Sequence, residues 1–288
     1  MWPATILGIG RTTLAQFPTA DDTLVLPVIP VDFQWTEFPA KLFIFDLDDT
    51  LAPSKSPIPD TIANGLAELL ERASVCVISG GRFEQFDRQV IRRLTVRPDL
   101  FQKLHLMPTC GTQYYQWTQD TWTKVYSEDL NPADKEHILQ VLIEGAHYLG
   151  LWEESTWGEI IEDRGSQITF SALGQQAPVD KKSAWDPDGS KKSRLRAFVA
   201  QKLPGFEVRS GGSTSVDVTR KGIDKAYGIR KLLAWTHSVV DEVLFVGDRL
   251  DVDGNDYPVR RTGLRCVEVS GWEQTAELLQ ALNMLQAG

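Results

Sequence analysis

Cysteine is scarce in the 288 residues: Cys76, Cys110 and Cys266 are far apart and odd in number. Such a set makes neither a disulfide framework nor a zinc-type pair, and a reducing compartment suits it. Long apolar runs are missing as well. No stretch reaches the ~18 apolar residues of a membrane helix. The opening Met1–Arg11 has no basic leader and is broken by Pro3 and two glycines, so no secretory signal is expected. Basic excess is also lacking. The 39 acidic residues outnumber the 30 basic ones, for a formal charge of −9, which argues against nonspecific nucleic-acid binding. What is present is ordinary globular composition, 42% hydrophobic and 24% charged. A chain of this length buries roughly 75% of its unfolded surface, enough for one large core or two smaller ones. A soluble, cytoplasmic protein is the expectation.

Residues 1–40 carry the weakest pattern and are expected to form an extension of unknown role. Within them Leu24–Val31 is apolar enough for a strand, but its prolines restrict it to a sheet edge or an extended arm. From Lys41 onward the periodicity sharpens. Leu42–Phe45 and Val75–Ile78 are short continuous apolar runs, the mark of strands buried on both faces of a parallel sheet. An amphipathic helix is predicted over Asp60–Arg72, and another from Ser79-Gly80-Gly81 to about Leu94. Leu104–Met107 reads as a third strand and Thr112–Val125 as an aromatic hairpin. Alternation of strand and helix is the doubly wound α/β signature. The middle of the chain differs: a helix over Pro132–Leu149, alternating strands over Gly158–Asp163 and Ser166–Leu173 exposed on one face, a polar Lys-rich stretch over Asp180–Lys192, a helix near 190–202, and strands at Phe206–Arg209 and Ser213–Val218. The α/β rhythm resumes with a helix over Asp224–Thr236 and strands Val243–Val246 and Arg265–Val269. The pattern predicts an α/β core over 41–125 and 217–288, interrupted by an α+β insert over 126–216.

Three carboxylates lie close together in Asp46-Leu47-Asp48-Asp49-Thr50, directly after a buried strand, where open α/β sheets bind ligands. An Asp-rich loop is often no more than a turn cap. Neighbouring carboxylates repel, however, and a divalent cation relieves them; one could then attack phosphorus while the next moves a proton. Gly247-Asp248-Arg249 repeats the arrangement after another strand, with Asp251, Asp253, Asn255 and Asp256 following. The order is not that of a calcium loop, since the Gly at position six and the Glu at twelve are missing. Ser79-Gly80-Gly81 offers a hydroxyl and backbone N–H groups to a phosphate, although alone it is an ordinary helix start. Lys225 opens a helix, where a lone lysine is normally surface decoration.

Taken together and in this order, Asp46-Leu47-Asp48-Asp49-Thr50, Ser79, Lys225, and Gly247-Asp248 with Asn255-Asp256 resemble the four motifs of the haloacid dehalogenase superfamily of phosphotransferases. The resemblance implies a Rossmann-like doubly wound parallel sheet with an inserted α+β cap. It implies Asp46 as nucleophile and Asp48 as general acid and base. Mg²⁺ would be held by Asp46, the main-chain carbonyl of Asp48, Asp248 and Asp256. Ser79, Gly80, Lys225 and Asn255 would contact the phosphoryl group. Ile78–Gly81, Arg164–Gln167, Gly211–Val218, Gly222–Lys225 and Gly254–Asp256 are similar in order to segments of eukaryotic-type phosphomannomutases, which implies Arg164, Ser215 and Asp217 as sugar-phosphate contacts.

Several positions depart from that pattern. Asp49 stands where relatives with this cap carry Gly, Ser54 replaces an arginine with Lys55 beside it, and two cap positions that hold arginine are Gln175 and Lys182. A neutral amide gives up the charged hydrogen bond, and lysine gives up the bidentate fork. A mutase must hold a bisphosphate through a reorientation, whereas a phosphatase needs only one phosphate. The expectation is therefore a phosphatase acting on a sugar phosphate or similar small phosphoester, with a hexose phosphate mutase interconverting mannose 1-phosphate and mannose 6-phosphate as the alternative. An inactive sugar-phosphate binding protein is disfavoured by the intact acidic pair. A receiver domain is disfavoured by its length of ~120 residues and by motif order.

Overall fold

A computed structural model describes residues 28–29, 40–211 and 214–285. In chain order the elements are β1 (Val28–Ile29), β2 (Leu42–Asp46), α1 (Asp60–Arg72), β3 (Ser74–Ile78), α2 (Phe83–Gln89), β4 (Leu104–Met107), the single turn α3 (Pro108–Gly111), β5 (Gln113–Thr118), β6 (Thr121–Ser127), α4 (Pro132–Tyr148), β7 (Ile161–Asp163), β8 (Gln167–Ser171), α5 (Val179–Trp185), α6 (Ser190–Lys202), β9 (Phe206–Ser210), β10 (Ser215–Arg220), α7 (Lys225–Thr236), β11 (Val243–Gly247), β12 (Arg265–Glu268) and α8 (Trp272–Leu285).

The apolar runs at Leu42, Val75 and Val243 become the middle of an eight-stranded sheet of order β1-β12-β11-β2-β3-β4-β5-β6. Its ladders are parallel from β1 to β4 and antiparallel over β5 and β6. Both faces of β2 are buried. Phe43 and Phe45 pack with Ile62, Leu66 and Leu69 of α1 and with Leu278 and Leu279 of α8. Leu42 and Ile44 pack on the other face with Ile229 and Leu232 of α7. Covering both faces is what makes the run continuous rather than alternating. At roughly 1.5–3 kcal/mol for each large apolar side chain removed from water, this packing locks strand register. Phe45 lies beside Val77 and Val246, and Asp46 beside Ile78, so the segments following β2, β3 and β11 leave the sheet at one edge. The candidate site stands on that edge.

A second, antiparallel sheet of order β7-β8-β10-β9 lies between the two halves of the first in sequence. Ile168, Phe170, Val216 and Val218 on one face pack with Ile138 and Leu142 of α4 and Leu195 and Val199 of α6. The opposite face carries Gln167, Thr169, Ser171, Ser215 and Asp217. The architecture is thus α/β with an added antiparallel sheet, as expected.

Some expectations are corrected in detail. β8 is buried on both faces, not exposed on one: its polar row is paired internally, with Thr169 Oγ1 donating to Asp217 at 2.7 Å and Gln167 Nε2 donating to Thr169 at 2.9 Å. The helix expected to run to Leu94 stops at Gln89, with Val90 leading into the tighter turn Ile91–Arg93. The Lys-rich stretch holds the short helix α5, and α8 adds Leu278, Leu279 and Leu282 against the α1 side. Breaks at 126 and 216 cut through strands. Ser127 still pairs with Gln113 in the large sheet, and Thr219 with Gln167 in the small one. Of Leu24–Val31, Val28–Ile29 forms the parallel edge strand β1 on Cys266–Val267; the rest, like Ser213, lies outside the described residues. All three cysteines are free thiols, and no helix among the described residues is long and apolar enough to cross a membrane.

Candidate active site

Asp46 ends β2 and is buried, Asp248 follows β11, and Asp256 is buried at the end of the loop after it. Their carboxylate oxygens come within 4.8 Å of one another. Gly247 is what lets Asp256 in, because a Cβ there would lie 2.5 Å from Asp256 Oδ2. Asp256 Oδ2 also accepts from Arg249 N at 3.2 Å, and Asp248 accepts from Thr50 Oγ1 at 3.1 Å. Asp224 caps α7 by accepting from Tyr227 N at 2.8 Å, which sets Lys225 at the helix start. Far from decorating the surface, Lys225 is 1% exposed, and its ammonium hydrogen-bonds both Asp46 and Asp256.

Three carboxylates around one ammonium leave a surplus of negative charge in a buried place. Burial first, then Asp256 and Asp248, push the Asp46 carboxyl well above its ordinary range, against the pull of Lys225. Asp248 is raised by burial and by Asp256. Burial pulls Lys225 down, but Asp256 and Asp46 outweigh it and hold the ammonium charged. All-oxygen donors with unbalanced charge suit a hard divalent cation. The three carboxylates fit Mg²⁺ in kind.

Asp48 stands apart from this group, so its carboxylate is not one of the converging oxygens. Oδ1 accepts from Lys55 N at 2.6 Å and Gln89 Nε2 at 3.3 Å, and Oδ2 from Gln85 Nε2 at 2.9 Å. Asp49 has a left-handed backbone (φ 63°), the region where glycine is free of strain; Asp is among the side chains that tolerate it. Ser79 is buried, and its Oγ accepts from Gly81 N at 3.2 Å.

The family model for haloacid dehalogenase-like hydrolase matches residues 43–258, from within β2 through Asp256. The chain belongs to that family. It is 24% identical over 239 residues to the phosphomannomutase of Saccharomyces cerevisiae, covering 79% of this chain and 88% of that one. It is also 24% identical over 227 residues to Homo sapiens phosphomannomutase 1, covering 76% and 82%. Among solved structures, IMP-bound, N-terminally truncated Plasmodium falciparum IMP-nucleotidase superposes with a TM-score of 0.64 at 14% identity, over 84% of this chain and 68% of that one. A haloacid dehalogenase-like hydrolase from Bacteroides thetaiotaomicron gives 0.56 at 16%, over 84% and 99%. At such identities the structures speak to the fold alone.

Residues of the small sheet meet the large one at the turn after β3. Arg164 Nη1 donates to Gly80 O at 2.7 Å, while its Nε is paired with Glu162 at 2.6 Å. Glu162 in turn pairs with Arg82 at 2.9 Å. The guanidinium is largely spent on bridging the two sheets. Gln175 O accepts from Lys55 Nζ at 3.4 Å and Lys182 Nζ at 3.2 Å, and Gln175 Oε1 lies 3.4 Å from Arg164 Nη2. Burial, then the like charge of Lys55, draws Lys182 down to about 8. Ser215 Oγ donates to Ser171 Oγ at 3.4 Å and Asp217 accepts from Thr169, so both share the polar row. Asn255, in contrast, is exposed, as are Asp251 and Asp253. Sequence reasoning missed Gln85, Gln89 and Glu162, and gave Thr50 no role beyond its place in the motif. Gln85 and Gln89 do share a helix face at i, i+4, but polar pairs at that spacing are mostly solvated.

Proposed function

We propose that the chain is a phosphoric monoester hydrolase that passes a phosphoryl group from a small phosphoester, such as a sugar phosphate, through Asp46 to water. The observation that carries the proposal is the convergence of Asp46, Asp248, Asp256 and Lys225 at the end of β2 and β11. An Asp46 carboxylate oxygen bonds to phosphorus as the ester P–O bond breaks, and the leaving oxygen takes a proton from Asp48. Water then attacks the aspartyl-phosphate and gives a proton to Asp48. The acyl-phosphate P–O bond breaks, inorganic phosphate leaves, and Asp46 is again a carboxylate. Lys225, Ser79 and the Gly80 backbone hold the phosphoryl oxygens. Mg²⁺, held by Asp46, Asp248 and Asp256 with the Asp48 carbonyl, would supply the charge neutralisation that the transferring group needs. The antiparallel sheet with α4 and α6 acts as the cap, presenting Gln175, Lys182, Ser215 and Asp217 to the substrate, with Arg164 bracing it against the turn after β3. Lys55 and Lys182, two like charges side by side, would be relieved by an anionic substrate group.

Activity is expected to vanish after exhaustive chelation and to return with Mg²⁺. Ca²⁺ should inhibit, since it prefers more ligands and looser geometry. Undiminished phosphate release from metal-free protein contradicts the assignment.

Similarity to phosphomannomutases favours a second reading, hexose phosphate mutase. Against it, the Arg164 fork is engaged by Glu162 and Gly80, and Gln175 brings an amide where a guanidinium would bind a second phosphate bidentately. The loss costs about 1.5 kcal/mol, roughly tenfold in the lifetime of a bound intermediate. Mannose 1-phosphate with a hexose bisphosphate primer is therefore expected to yield more inorganic phosphate than 6-phosphate isomer. A tenfold excess of isomer would establish the mutase. If phosphate dominates, Gln175→Arg with Lys182→Arg should move the ratio toward isomer.

A further inference from the structure

We propose that Gln85 and Gln89 are positioning residues that clamp the Asp48 carboxylate and leave Oδ2 as the oxygen that carries its proton. The inference rests on Asp48 serving as general acid and base. A carboxylate offers about four lone-pair sites. Oδ1 has two donors, Lys55 N at 2.6 Å and Gln89 Nε2 at 3.3 Å, so its lone pairs are taken. Among the described residues Oδ2 has one, Gln85 Nε2 at 2.9 Å, which leaves one lone pair open. In the first half-reaction the proton thus leaves Oδ2 for the ester oxygen as its bond to phosphorus breaks and phosphorus bonds to Asp46. In the second, Oδ2 takes a proton from the attacking water.

Each donor is itself held. Gln89 is 1% exposed, and its Nε2 also donates to Ser56 O at 2.6 Å, so two acceptors fix which end of the amide faces Asp48. Gln85 lies across Gly81, where a Cβ would fall 2.1 Å from Gln85 Oε1 and 2.6 Å from its Cδ. The absent side chain at Gly81 is what admits the amide. Lys55 turns its N–H inward with a left-handed backbone (φ 58°). Gln85 and Gln89 stand one turn apart on α2, the helix that follows Ser79-Gly80-Gly81. One segment therefore orients both the proton carrier and the phosphate-facing turn, to the tolerance on which proton transfer depends.

The test compares kcat/KM for p-nitrophenyl phosphate, whose leaving group needs no proton, with that for an alkyl phosphate such as glycerol phosphate, whose leaving group does. Gln85→Met keeps the length and removes the donor. It is expected to lower the alkyl value tenfold or more and the nitrophenyl value less than twofold. Gly81→Ala, which displaces the amide without removing it, should shift the ratio in the same direction. In an Asp48→Asn background Gln85→Met should add no further discrimination. Equal losses on both esters, or none, with wild type active and Asp46→Asn dead, would overturn the clamp alone. A wild type that releases phosphate from neither ester, or an active Asp46→Asn, would overturn the phosphotransfer reading and the clamp with it.

Discussion

Asp46→Asn is expected to fold normally and to lose at least ~10³-fold in kcat, because an amide nitrogen or oxygen does not attack phosphorus as a carboxylate does. Stability should hold or rise. Burial and the neighbouring Asp256 and Asp248 carboxylates push the Asp46 carboxyl well above its ordinary range, so the native site works against that charge rather than needing it. Asn removes the charge and keeps the shape, while Lys225 retains Asp256 as a partner. Phosphate release measured beside a melting curve separates the two effects. More than a few per cent of wild-type turnover in a protein of unchanged Tm would remove Asp46 from the nucleophile role.

Lys225→Ala should cost ~10²-fold or more in kcat, the size of a lost electrostatic partner of the transferring group. It also has a consequence without turnover. Lys225 is the buried cation between Asp46 and Asp256, and breaking such a group strands uncompensated charge at about 3–5 kcal/mol. In chelator the Tm should drop by roughly 10 °C. Added Mg²⁺ should recover more of the Tm in the variant than it adds to wild type, because a divalent cation replaces part of the missing charge. The lost rate should stay lost. An unchanged kcat would remove Lys225 from the phosphoryl-binding role, and a Tm indifferent to both the substitution and the metal would remove it as the partner that holds the buried carboxylates.

The linear chain by itself determined the parallel sheet and the edge where chemistry gathers. Leu42–Phe45, Val75–Ile78 and Val243–Val246 can be continuous apolar runs only if both faces are covered, and that local constraint is visible residue by residue. The acidic segments after β2 and β11 and the turn after β3 follow directly, since parallel strands leave the sheet at the same end. The span of α1 was legible from its apolar spacing alone. Tertiary structure decided which polar side chains meet. Among Asp248, Asp251, Asp253 and Asp256, only Asp248 and Asp256 join Asp46, and the reason is the path of one loop past Gly247. Lys225 looks like any helix-starting lysine until burial between carboxylates 179 and 31 residues away changes its meaning. Gln85 and Gln89 are likewise ordinary helix polars until Asp48 is set against them. Arg164, which the resemblance implies as a substrate contact, is largely engaged by Glu162 and Gly80. Apolar burial repeats along an element with the element's own period, so sequence carries it. A polar partnership joins single residues across long loops, leaves no period behind, and is fixed only when those loops are folded.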